Sequence, residues 1–159
     1  MSKNIGSIYC IDLDNEYVRY FWYVGIDNTQ LNSAIIVVFR SNYSKSEPVD
    51  LDEIISDEID FYCHTFVLVG KRLGFWKKVG FRKVTRSFYM LFRDTNDYGD
   101  PKIQTSDQWY IWKPNGPFQM VGRLTGENTK AEIGVVVPAD SVVARIKTGS
   151  YDFVYPSYA

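Results

Sequence analysis

The sequence predicts an α+β fold, β-rich, with a mostly antiparallel twisted sheet or partial barrel and two short helices. Three observations predict it. Short apolar runs, β-branched or aromatic, recur between tight polar turns. Aromatic residues are abundant: 12 Tyr, 10 Phe and 4 Trp make up 16% of the chain. Only two stretches combine helical spacing with helix end signals. At 159 residues the chain has the length of one domain, and 1–159 reads without a linker, repeat or low-complexity segment. A hydrophobic share of 45% and a charged share of 23% argue against disorder. A chain of this length buries roughly 68–70% of its unfolded surface.

The elements follow in order. Residues 6–12 read as a first strand, Asp14-Asn15 as a turn, and residues 16–25 as a second strand broken at Asp27-Asn28-Thr29. The apolar, β-branched run 34–40 reads as a central strand. Residues 41–47 form a polar loop ending at Pro48. Asp50, followed three residues later by Glu53, has the form of a capping box, and Leu51, Ile54 and Ile55 supply one apolar face. A short helix over 51–56 is expected. Phe61 to Val69 reads as a strand, followed by a loop punctuated by Gly70, Gly74 and Gly80 and anchored by Phe75-Trp76. Phe88 to Arg93 is the next strand, and 94–101 is a dense turn signal. Trp109 to Lys113 and Phe118 to Gly122 flank Pro114-Asn115-Gly116-Pro117 as a hairpin. A strand over 133–137 precedes a helix over 139–148, opened by Pro138 and stopped by Gly149. Phe153 to Tyr155 reads as a final edge strand. A one-sided sheet predicts that Trp109 or Trp112 is deeply buried, but not both.

Several chemistries find no support. The start of the chain has no apolar signal segment, and the longest apolar runs fall short of a membrane span, so a cytoplasmic location without membrane contact is expected. Cys10 and Cys63 lie in apolar, strand-like surroundings and are expected as buried free thiols. His64 is the only histidine. Its neighbour Cys63 points to the opposite face of a strand, so a Cys–His dyad is geometrically poor. The clusters Asp57-Glu58-Ile59-Asp60 and Asp94, Asp97, Asp100 lack the calcium-loop pattern. No phosphate-cradling glycine motif is present. No catalytic residue, metal site or cofactor is therefore assigned, although a carboxylate pair assembled in space remains outside the reach of sequence.

Charge is distributed unevenly. The net charge is −1. Yet Glu47, Asp50, Asp52, Glu53, Asp57, Glu58 and Asp60 form an acidic run without a base. Lys71, Arg72, Lys77, Lys78, Arg82, Lys83, Arg86 and Arg93 form a basic run without an acid. Two readings stay open: two solvated faces that attract each other, or patches for a charged partner. The basic run also carries Phe75, Trp76, Phe81, Phe88 and Tyr89, a pattern found in single-stranded nucleic-acid binders. The near-neutral charge and a pI near 5.8 argue against nucleic acid, and Trp76 and Phe88 sit where a core would want them.

Several stretches together resemble the immunity protein twenty-six family of bacterial polymorphic toxin systems. They are Val24-Gly25-Ile26-Asp27 with Gln30-Leu31-Asn32-Ser33, Phe61-Tyr62-Cys63-His64-Thr65, Leu73-Gly74-Phe75-Trp76-Lys77-Lys78-Val79-Gly80, Phe92-Arg93-Asp94-Thr95-Asn96-Asp97-Tyr98-Gly99, Trp109-Tyr110-Ile111-Trp112-Lys113 and Ala131-Glu132-Ile133-Gly134-Val135-Val136. The resemblance implies a small cytoplasmic, non-enzymatic protein, encoded beside a toxin, that binds and silences the toxin domain. A nuclease toxin that grips phosphates is basic, so the acidic residues Glu47 to Asp60 are the expected partner-binding surface. The alternatives are a nucleic-acid- or peptide-binding module using residues 71–93, and a small enzyme.

Overall fold

The β-branched run near the N-terminus sets the centre of the molecule. The computed structural model describes residues 3–159. Strands β1 (Ser7–Asp12), β2 (Tyr17–Asp27) and β3 (Ser33–Phe39) pair as an antiparallel meander. The two-residue β4 (Tyr43–Ser44), inside the expected polar loop, continues the pairing along β2. Asp14 adopts φ 62 in the first turn, a left-handed conformation that Asp tolerates. Helix α1 (Leu51–Ile55) follows, and β5 (Ile59–His64) then pairs with β3. Helix α2 (Val67–Arg72) leads to β6 (Lys77–Phe81), which pairs with β1. The first sheet thus runs β5-β3-β2-β1-β6, with β4 beside β2.

The second sheet runs β10-β7-β8-β9, from β7 (Phe92–Thr95), β8 (Trp109–Trp112), β9 (Gln119–Gly122) and β10 (Glu132–Ile133). Helix α3 (Ala139–Thr148) ends at Gly149, whose φ of 92 suits glycine. The fold is α+β and β-rich. Its pairing is antiparallel apart from β10 on β7 and two isolated bridges, His64 with Val136 and Thr105 with Ser157. Neither sheet closes into a barrel.

Both faces of the first sheet are covered, which explains why β3 is apolar throughout. One face carries Tyr9, Phe21, Ile36 and Val38 under α2 and α3. The other carries Ile8, Trp22, Val37 and Phe39 under Ile54 of α1 and Phe88 of the following segment. Ile35, Phe92 and Trp112 join the second sheet to this latter face.

Several expectations need correction. The strand expected over 61–69 stops at His64, and its second half turns into α2. A short apolar run does not distinguish strand from helix, and here Gly70 decides. A Cβ on Gly70 would lie 2.0 Å from the Trp76 indole, so only glycine lets this ring lie against the helix. Trp76 Nε1 then donates to the Val67 carbonyl at 2.8 Å. Of the expected anchor pair, Trp76 is buried but Phe75 is exposed. The segment taken as a loop contains β6. The strand expected at 88–93 begins only at Phe92. The strand expected over 133–137 reduces to β10, because Gly134 must pass the Trp112 ring, 2.1 Å from where its Cβ would stand. Residues 153–155 form no strand. Tyr155 is held by its hydroxyl on Asp94 at 2.7 Å instead. Finally, Trp109 is 0% and Trp112 2% exposed. Leu91, Leu124 and Ala131 cover the Trp109 face of β8, and Ile35 and Phe92 cover the Trp112 face. The strand lies between two layers, and the one-sided sheet is wrong.

Candidate protein-binding surface

The structure puts most of the acidic run to internal use. Asp50 caps α1, its carboxylate accepting from the Glu53 N–H at 3.2 Å. Asp52 accepts from Arg82 Nε at 2.8 Å, and this guanidinium holds its carboxyl below the usual range. Asp57 accepts from the Ser41 N–H at 2.9 Å and its hydroxyl at 2.8 Å. Glu58 meets Arg40 at 3.5 Å. Asp60 pairs at 2.8 Å with the buried Arg19, which also donates to the Phe39 carbonyl. Glu47 and Glu53 are exposed and their carboxylates are unpaired. Arg86 donates to the carbonyls of Ile55 and Asp57 at 3.0 and 2.8 Å. The two oppositely charged runs therefore attract each other within the chain through Arg82 and Arg86.

A second polar cluster lies inside. Asp27 and His64 are both 0% exposed. One Asp27 oxygen accepts from His64 Nε2 at 3.0 Å and from Trp112 Nε1 at 2.8 Å. The other accepts from the Asn115 N–H and the Thr29 hydroxyl. Burial alone would raise this carboxyl. The hydrogen bonds from Trp112, His64 and Asn115 outweigh burial and hold it at about 2. Burial depresses the His64 imidazole more than Asp27 raises it, so the ring is neutral, with Nδ1 unpartnered against the Phe92 ring. The cluster ties the ends of β2, β5 and β8 together. The drop from 3.8 to about 2 corresponds to about 2 kcal/mol of stability. It is present above pH 3.8 and lost as pH falls through about 2. Sealed from solvent, these groups brace the fold and offer a substrate no approach. Among the described residues, no three His, Cys, Asp or Glu side chains are grouped to hold a metal ion. Cys10 and Cys63 are free and buried, and burial pushes the Cys63 thiol up to about 12.

The surface that stands out is α2. Its inward side chains are small, Val67 and Gly70 against Trp76. Its outward side chains are large and apolar: Phe66, Leu68, Val69 and Leu73 are 57, 46, 45 and 65% exposed, and Phe75 follows them at the surface. Phe66, Val69 and Leu73 share one helical face by their spacing. With Val136, Pro138 and Ala139 they line a groove of about 420 Å³. On the other side, Leu68 borders a second groove of about 340 Å³ with Tyr23, Ile26 and Ala34. Lys71 and Arg72 of α2 are exposed and without an acidic partner, as are Lys77 and Lys78 of β6, while Asp140 lines the first groove. Contiguous apolar surface of this kind marks interaction sites, whereas single exposed apolar residues do not. Sequence reasoning missed it. The signal was the i, i+3, i+7 spacing of Phe66, Val69 and Leu73, with Lys71 and Arg72 between the last two.

No family model, curated protein or solved structure matches the chain. No helix among the described residues is long and apolar enough to cross a membrane.

Proposed function

We propose that this chain is a protein-binding, non-enzymatic immunity protein that neutralises a toxin domain by occupying it, and that α2 is the helix it presents. The observation that carries this reading is the outward apolar face of α2. Folding alone would favour polar side chains at those positions, and Lys71 and Arg72, exposed on the same helix without an acidic partner, suit a partner with an apolar centre and an acidic rim. The resemblance described above supplies the toxin as the partner class.

The acidic run is a second candidate surface. It is favoured by the Asp52 and Glu58 side chains, which remain 76 and 79% exposed despite their ion pairs. It would meet a basic toxin, on the opposite face of the sheet from α2.

The test is rescue of growth. The toxin domain encoded by the neighbouring gene is co-expressed with the wild-type chain and with a Val69→Ser, Leu73→Ser variant. The wild type is expected to restore growth and the variant to fail while keeping its native far-UV spectrum. Toxicity that persists with the wild-type chain contradicts the immunity reading.

A further inference from the structure

We propose that the cavity where β6 runs out at Lys77 binds a small organic acid, one anionic group on an aromatic or branched apolar body. β6 pairs with β1 only between Ser7 and Cys10, so the end of β1 lacks a neighbour on that side. A cavity of about 610 Å³ opens there, within the usual range of small-molecule sites. Cys10, Val18, Tyr20 and Trp76, all buried in the fold, form its apolar and aromatic floor.

The polar groups at its mouth decide the sign of the ligand. Asp12 and Lys45 pair with each other at 2.8 Å and so cancel. Lys71 and Lys77 have no acidic partner, and Glu47 alone opposes them. The mouth therefore carries a net positive charge. Tyr20 is only 4% exposed as a residue and lines the cavity, and its hydroxyl makes no hydrogen bond to the described residues but is not sealed from solvent. Burial first, then the neighbouring Cys10 and Glu47, push the phenol above its ordinary value, so it stays a neutral donor. Without a protein partner, this hydroxyl is free to donate to a ligand in the cavity. A carboxylate or sulfonate between Tyr20 and the two lysines would accept from it, with its apolar body on Val18 and Trp76. The site borders the outward face of α2 at Lys71 and Phe75, but Leu68 and Leu73 do not line it.

The probe is 8-anilinonaphthalene-1-sulfonate, an anion on an aromatic body, titrated into the full chain and followed by its fluorescence. One site per chain is expected. Lys71→Glu with Lys77→Glu should weaken binding at least about fivefold. Arg72→Glu with Lys78→Glu, which changes the charge equally outside the cavity, should leave it unaltered. Leu68→Ser with Leu73→Ser should leave it unaltered too, and Tyr20→Phe should weaken it. If the first pair perturbs the near-UV spectrum, Lys71→Gln with Lys77→Gln repeats the measurement without added negative charge. Absence of binding, equal weakening by both charge pairs, or loss confined to the leucine pair overturns the proposal. None of these outcomes bears on toxin binding, because no toxin is present.

Discussion

Helices α1 and α2 lie on opposite faces of the same sheet and are built in opposite ways. α1 has a side-chain N-cap from Asp50, buries Ile54 and turns its acids Asp52 and Glu53 outward. α2 has no side-chain cap, buries only Val67 and Gly70 and turns Leu68, Val69 and Leu73 outward. A short helix is stabilised by its caps and its buried face. By that measure α1 is finished by its own chain. α2 is held chiefly by Trp76 and leaves its larger side chains in water. The difference separates a helix that completes the fold from one that is available to another molecule.

The largest expected effect tests how α2 is held. Gly70→Ala places a methyl group inside the Trp76 contact and should cost about 1–3 kcal/mol or more by overpacking, read as a lower urea midpoint. Unchanged stability would mean that Trp76 does not fix the helix. On the other face, Asp50→Ala removes the α1 cap and should cost about 1 kcal/mol, with growth rescue unaltered. Loss of rescue in that variant would erase the functional distinction between the helices. Smaller still, Asp52→Ala breaks an exposed pair with Arg82 and should barely move the urea midpoint, less still in high salt. Leu68→Ser alone should stay within about 0.5 kcal/mol, since nearly half of its side chain is already in water. A loss of several kcal/mol there would show that the outward face of α2 is part of the core after all.

Local signals made about half of this comparison legible in the sequence. The Asp50–Glu53 spacing marked α1, and Pro138 with Gly149 marked α3, because capping is chemistry between near neighbours. The meander of β1 to β3 was legible from its turns. α2 was not, because Phe61 to Val69 is apolar apart from His64 and Thr65, and what fits its second half to a helix is the close approach of Gly70 to Trp76. The parallel pairing of β10 with β7 and the two-sided burial of β8 depend on which layers meet, and periodicity along one strand carries no record of that. The acidic run was legible as a charge pattern. That Arg19, Arg40 and Arg82 would pair with Asp60, Glu58 and Asp52, and that the Glu53 N–H and Ser41 would take Asp50 and Asp57, became visible only in three dimensions.

The central claim is that α2, and not α1, meets the partner. The most direct test is calorimetric titration of the proposed partner, a toxin domain sought in the neighbouring gene, into three folded chains: wild type, Val69→Ser with Leu73→Ser, and Asp52→Lys with Glu58→Lys. Burying a Leu or Val side chain is worth about 1.5–3 kcal/mol. The α2 variant should therefore bind at least about tenfold more weakly than the wild type, while the α1 variant stays within about threefold. Wild-type affinity in the α2 variant, with the loss appearing in the α1 variant instead, would contradict the account and assign the interface to the acidic face.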